Sequence, residues 1–292
     1  MFLNNISLLF TMIRNIRSEK INRSMIGHSI SRKIGPVTRE DFQAYVEATL
    51  DNPLKYTGET THAPPFYISR LLYPLFKYYL TNKKLRINLL RLVHAEQSIE
   101  WFDHIYEGVI FDVEMKIADI TESSAGEIIN LETTGWVKGK KIARANTFFL
   151  VRSRKKKAKT GKSKTSGKEY NEELFRKTIR TVKNQSIKYA RVSGDTNFIH
   201  TNRFLARVAG LPGIIMHGVC IGAMTVNTIL EEVLNGDMNK MKSISMRFAN
   251  PVFPGEEITL IGYKSGEKNH IFFEAVNSKG KPVLKNGEFR FS

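Results

Sequence analysis

Tyr189-Ala-Arg-Val-Ser-Gly-Asp-Thr-Asn-Phe-Ile-His200 is the stretch from which the rest of the chain is read. It sets a carboxylate, Asp195, and an imidazole, His200, five residues apart, with Gly194 before the aspartate and Asn197 between them. Seventeen residues after His200, Met216-His217-Gly218 opens a long apolar run. A carboxylate and an imidazole on one loop can pass protons. A glycine at a helix start offers an unhindered N–H to a developing oxyanion. The same residues also allow a plainer reading, an Asx-type turn at Asp195 and Asn197 beside a structural histidine.

Laid on itself, the chain repeats. Tyr189 precedes Asp195 by six residues, and Tyr45 precedes Asp51 by six, an offset of 144. Asn250-Pro-Val-Phe-Pro-Gly255 matches Asp103-His-Ile-Tyr-Glu-Gly108 at an offset of 147. Two close offsets point to a duplicated domain of ordinary size. Each copy opens on an amphipathic stretch, residues 38–49 and 171–179, expected as a short helix or the start of a strand. A turn-rich segment with the aspartate follows. Then comes an apolar helical run, residues 66–80 and 218–234. Strand-like stretches close each copy, in the second at 243–248, 257–263, 270–276 and 282–291. Gly266, Gly280 and Gly287 punctuate them as hairpin turns would. The helix at Gly218 is apolar nearly all round, so it should be enclosed by protein. One long helix followed by an antiparallel meander predicts an α+β fold with a curved sheet wrapped around the helix.

The divisions follow: an N-terminal extension at 1–24, a first domain at 25–151, a basic linker at 152–170 and a second domain at 171–292. The extension reads as a targeting segment or a misassigned start, with Met12 and Met25 as later starts. It is left out of the fold prediction. No apolar run is long enough to span a bilayer, and the expected compartment is the cytoplasm, with an organelle as the alternative. The formal net charge is +17. From Arg152 to Lys168, nine of seventeen residues are Lys or Arg and none is acidic. That run reads as a solvated linker before it reads as a landing site for an anionic partner. Nucleic acid ranks last, because no aromatic interleaving or recognised motif accompanies the charge. The single cysteine, Cys220, excludes an internal disulfide framework and lies in the apolar run as a small core residue.

Ser193-Gly-Asp-Thr-Asn-Phe-Ile-His200, with Gly210-Leu-Pro-Gly213 and Met216-His-Gly218, resembles the signature of the MaoC-like dehydratases and (R)-specific enoyl-thioester hydratases. The family usually has Pro where this chain has Phe198. The two-copy arrangement looks like the family's double-hotdog form. The resemblance implies that Asp195 and His200 are the catalytic pair, that Asn197 shapes their loop, and that the Gly218 N–H is the oxyanion donor. Gly194, Gly213 and His217 would shape the loop and the helix start. It further implies a hydro-lyase acting on acyl groups carried by coenzyme A or acyl-carrier protein, without metal or redox cofactor, as a monomer or a homodimer. The first copy departs from the pattern: Asp51 is kept, but Tyr56 stands where the histidine would be and Leu50 where Gly194 stands. That half is expected to lack the chemistry and to help enclose the acyl chain. An acyl-thioester hydrolase and a silent acyl-binding subunit are the competing readings.

Overall fold

The computed structural model describes residues 10, 11, 13–18, 20–58, 61–153 and 172–292. Most of the basic run expected as a linker, from residue 154 on, lies outside the described residues.

The first half runs β1 (Ser29–Ile34), α1 (Arg39–Ala48), α2 (Ile68–Thr81), β2 (Leu92–Trp101), β3 (Phe111–Ser123), β4 (Gly126–Val137) and β5 (Lys140–Arg152). The second runs β6 (Glu173–Arg180), α3 (Gln185–Ser193), α4 (Phe198–Thr201), α5 (Arg203–Val208), α6 (Gly218–Leu234), β7 (Met241–Phe248), β8 (Glu257–Lys264), β9 (His270–Asn277) and β10 (Pro282–Phe291). All ten strands join one antiparallel sheet, in the order β1-β3-β4-β5-β2-β7-β10-β9-β8-β6. The order reads the same from either edge once each strand is matched to its counterpart in the other half. The halves therefore meet at β2 and β7, where Ser98 faces Ser245 and Ile99 faces Ile244.

Local chemistry explains the elements. Thr38 caps α1, its Oγ1 accepting from the Asp41 N–H at 3.2 Å, with Glu40 and Asp41 in the first turn. In β4 every second residue from Glu127 to Gly135 is buried, the period of a strand with one face on the core. α6 buries most of its circumference, including Cys220, Val226, Ile229 and Leu230, as its all-round apolarity predicts. Long sheet and enclosed helices share one core.

Three expectations change in detail. The stretch at 171–179 yields an edge strand, β6, while that at 38–49 yields a helix, so the two are not counterparts. The partner of α1 is α3, within the stretch read as turn-rich. β6 is charged and mostly exposed because an edge strand has only one neighbour to pack on. Gly287 is no hairpin turn; it lies inside β10, where its missing side chain admits the Phe273 ring at a register shift. Gly266 and Gly280 are turns with positive φ. The packed region also reaches back before residue 25: Ile21 is buried, and its N–H donates to Glu127 Oε2 at 2.6 Å.

Junction packing has a measurable weight. Ile99 and Ile244 are each 1% exposed. Ile244→Ala should lower the unfolding free energy by about 2–5 kcal/mol, the usual cost of such a cavity, read as a fall in the denaturant midpoint.

Candidate active site

Helix α3 ends at Gly194, whose φ of +77° is costly for any other residue type. The Gly194 N–H closes the helix on Ala190 O at 3.1 Å. The chain then turns sharply. The Asp195 N–H donates to Ser193 Oγ at 3.2 Å, and the Asn197 N–H donates to Asp195 Oδ1 at 3.2 Å. Asn197 Oδ1 in turn accepts from the Ile199 N–H at 3.3 Å and caps α4, which carries His200. The turn reading and the proton-pair reading thus coexist. Asp195 builds the turn with one oxygen, and its Oδ2 faces His217 Nε2 at 4.0 Å.

Asp195, His200 and His217 come together, one donor atom of each lying within 4.8 Å of the others. The imidazole rings of His200 and His217 stack with centroids 3.8 Å apart. Backbone carbonyls set their tautomers. His200 Nδ1 lies 2.9 Å from Ile215 O, so it carries the proton and leaves Nε2 with a lone pair. His217 Nε2 lies 2.9 Å from Asp195 O and donates to it. His217 Nδ1 is buried without a hydrogen-bond partner. Burial pulls the His200 pKa below its ordinary value, against the attraction of the Asp195 charge. Burial and the neighbouring His200 drive that of His217 down further. Both rings are therefore neutral near pH 7. His217 is spent on holding the Asp195 backbone against the start of α6, and His200 keeps a free basic nitrogen.

His217 is also the N-cap of α6, and its side chain makes no capping bond. The first-turn N–H groups of a helix have no acceptor within it and stand at the positive end of its dipole. Gly218 is the first residue of that turn. Its φ is ordinary, so another constraint selects glycine: a Cβ there would come within 3.2 Å of the Phe248 ring. Gly213 lies in the return loop between α5 and α6, and a Cβ there would meet nothing within 4 Å. Tyr189 is buried between the His217 and Tyr45 rings, at 5.0 and 5.8 Å, a packing role.

Two further residues come from the first half. Tyr73, on α2, packs its ring on Gly194, with Cδ1 3.3 Å from where a Cβ would stand. That contact sets the Tyr73 side chain beside the Asp195 loop. Burial first, and the Asp195 charge second, raise its pKa far above the tyrosine range. His94, on β2, lies against Phe248 and Phe149, with ring centroids at 4.8 and 5.1 Å. Its Nε2 is buried without a partner. Burial pushes its pKa down to about 4, while the Asp195 charge pulls the other way. Neither residue lies near the Asp195 loop in sequence, and neither carries a local motif.

The counterpart loop in the first half is chemically closed. Leu50 holds φ +55°, the left-handed backbone that Gly194 holds in the second half. Asp51 Oδ1 accepts from Lys55 Nζ at 2.6 Å, and Oδ2 accepts from the Tyr56 hydroxyl at 2.6 Å. Lys55 is shared with Glu231 of α6 at 2.5 Å. Among the described residues no imidazole bonds this carboxylate, and each of its oxygens already has a donor.

Residues 163–286 match the MaoC like domain, and residues 24–145 match the FAS1-like dehydratase domain region. The mouse peroxisomal multifunctional enzyme type 2 is 28% identical over 216 residues, 69% of this chain and 28% of its own length. The chain thus matches little more than a quarter of that larger protein. A Dictyostelium discoideum protein named probable enoyl-CoA hydratase 2 is 26% identical over 202 residues, 67% of this chain and 68% of its own. Among solved structures, a MaoC-like dehydratase from Phytophthora capsici superposes with a TM-score of 0.75 at 20% identity, over 94% of this chain and 98% of that one. A Mycobacterium tuberculosis protein described as having a double hotdog fold superposes with a TM-score of 0.56 at 10% identity, over 91% of this chain and 96% of that one. The chain carries a match to the MaoC like domain in its second half and to a FAS1-like dehydratase domain region in its first, on the double-hotdog fold.

Proposed function

We propose that the chain interconverts (3R)-3-hydroxyacyl and trans-2-enoyl thioesters by moving water across the C2–C3 bond. One observation carries the reading: the Asp195 carboxylate and the neutral His200 imidazole stand within 4.8 Å of each other, beside the uncapped first turn of a buried helix. The names of the relatives, enoyl-CoA hydratase among them, favour the same class and favour coenzyme A as the carrier. The (R) preference rests on the family resemblance alone.

The chemistry fits the donors and acceptors. Water held between Asp195 and His200 attacks C3, and His200 Nε2 takes one of its protons as the O–C3 bond forms. The electron pair of the double bond moves toward the thioester carbonyl, whose oxygen gains negative charge and accepts from the Gly218 N–H. As that charge returns, C2 takes the proton from the His200 imidazolium. The product has gained OH at C3 and H at C2, and His200 is neutral again. Asp195 orients the water and balances the transient imidazolium. Dehydration is the same path reversed.

We also propose an organelle as the compartment. No helix among the described residues is long and apolar enough to cross a membrane. The peroxisomal label of the mouse relative makes an organelle the reading to test by imaging the full chain.

Purified protein should hydrate trans-2-enoyl-CoA thioesters, seen as loss of absorbance from the conjugated thioester, with (3R) products. No turnover on any chain length, on CoA or carrier-protein thioesters alike, would sink the assignment. Asp195→Asn and His200→Ala should each lower kcat by about 10²–10⁴-fold while the protein remains folded. Gly218→Pro, which removes the N–H at a position where proline suits a helix, should lower kcat by about 10²–10³-fold. Gly218→Ala keeps the N–H and separates the steric cost against Phe248 from the loss of the donor.

The pH profile follows from His200. Its imidazole must be neutral to accept the water proton, and burial holds its pKa below the ordinary 6.5. Activity should therefore persist as pH falls through 6.5 and fail only below it, on the acid limb of kcat/KM. An acid limb centred above 6.5 would contradict this role.

A further inference from the structure

Between Thr181 and Leu230 the chain has five cations, Lys183, Lys188, Arg191, Arg203 and Arg207, and a single acid, Asp195. All five cations are exposed, and among the described residues none of them pairs with a carboxylate. The edge strand just before this stretch is arranged otherwise. There Arg176, Lys177 and Arg180 are matched by Glu173, Glu232 and Glu257. The working loop is thus carried by a surface of one sign whose charge the chain itself leaves unbalanced.

Within that surface α5 projects. Asn202 Oδ1 caps it, accepting from the Leu205 N–H at 3.0 Å, and the Leu211 N–H donates to Ala206 O at 3.0 Å beyond its end. Ala206 is fully buried and seats the helix, while Phe204 and Val208, one turn apart, are 73% and 65% exposed. Arg203 and Arg207 form the neighbouring strip, also one turn apart. The ridge stands beside the working groups, bracketed by the two segments that hold His200. One is α4, which carries it; the other is the return loop, whose Ile215 O takes the His200 Nδ1 proton and whose Ile215 N–H donates to Ile199 O at 3.0 Å. Arg203 follows His200 by three residues, so chain length alone keeps their Cα atoms within about 11 Å.

We infer that α5 is the docking ridge for an acidic protein that carries the acyl group as a thioester. The inference rests on the reading of Asp195 and His200 as the groups that act on that thioester. Charge and shape select the occupant. Unbalanced arginines around a projecting apolar pair are complementary to a protein surface with an apolar groove and an acidic rim. A nucleotide or other small ligand takes a concave site, whereas Phe204 and Val208 stand out from the surface. A second copy of this chain in a two-fold contact would set Arg203 and Arg207 against their own kind. Placement supplies the reason for docking here, since a carrier seated on α5 presents its thioester arm next to His200.

Two measurements on the full chain decide the matter, with Arg203→Glu and Phe204→Ser as the variants. Both positions are exposed, so neither change opens the core. The first measurement compares crotonyl thioesters on an acidic acyl-carrier protein, on coenzyme A and on pantetheine alone. Each variant should raise KM for the carrier-protein thioester about tenfold, the weight of one substantial interface side chain, and leave the pantetheine reaction unchanged. In the wild type that KM should also rise with ionic strength, and less steeply in Arg203→Glu. An unchanged KM for the carrier-protein thioester would overturn the inference. An equal rise on coenzyme A would also overturn it and assign the patch to the nucleotide. Loss of binding to phosphatidylserine vesicles, with carrier kinetics intact, would overturn it in favour of a lipid surface. The second measurement is binding of the unloaded carrier protein, read by fluorescence anisotropy without turnover. Affinity should fall about tenfold in each variant; equal affinity, or no binding by the wild type, sinks the docking ridge. If the wild type turns over no thioester, the functional reading falls by itself, and the anisotropy still decides the docking.

Discussion

The pairing of β2 with β7 is the constraint on which the rest depends. It fuses two five-stranded halves into one ten-stranded sheet and places Ile99 against Ile244 at the centre. A sheet edge left unpaired at this point would present a row of open N–H and C=O groups. Paired, it fixes the distance between the halves to the register of a ladder. Only with that distance fixed can Tyr73 of one half pack on Gly194 of the other, or His94 on β2 lie against Phe248 at the end of β7. The junction therefore assembles the site as well as the core.

Duplication then explains why one site is open and the other closed. Both halves keep the same backbone turn: Gly194 with φ +77° and Leu50 with φ +55° occupy corresponding positions. A left-handed leucine costs about 1–2 kcal/mol that a glycine does not. The persistence of the turn without its natural residue shows that surrounding packing imposes it. The side chains diverge instead. Asp51 has a lysine on one oxygen and a tyrosine on the other, so its carboxylate is held in a structural ion pair. Asp195 has a turn amide on Oδ1 and two histidines beside it. Similar folds around a carboxylate lead to a structural ion pair in one case and to acid–base capacity in the other.

Much of this was legible in the sequence. The offset that matched Tyr45 and Asp51 to Tyr189 and Asp195 found the duplication, because a turn residue and its buried neighbour must keep their spacing to keep the turn. The apolar helix at Gly218 and the alternation of the closing strands were visible as periodicity. The Asp195, His200 and Gly218 cluster was visible because a single loop and the next helix start supply it. What stayed hidden depends on long-range placement. Tyr73 looked like one aromatic among several in an apolar run, and His94 like the polar start of a strand. Their approach to Asp195 is created by sheet order and by a helix from the other half, which no local spacing encodes. The pairing of the β6 stretch with that of α1 fails for a related reason: an edge strand and a short helix differ by their neighbours more than by their composition.

Burial is the means by which the same fold makes these groups useful. Three histidines, His94, His200 and His217, are held neutral by loss of water around them, each against some compensating contact. A neutral His200 is a base only because its Nδ1 proton is taken by Ile215 O and its Nε2 is left over. A neutral His217 is a strut, because its Nε2 is occupied by Asp195 O. Two stacked rings of the same chemistry thus acquire different tasks from which nitrogen a carbonyl claims. The loop carbonyls of Ile215 and Asp195, rather than the imidazoles themselves, divide the labour. Their positions are set by the backbone turn at Gly194 and by the return of the chain to α6, the two features that the spacing in the sequence preserves.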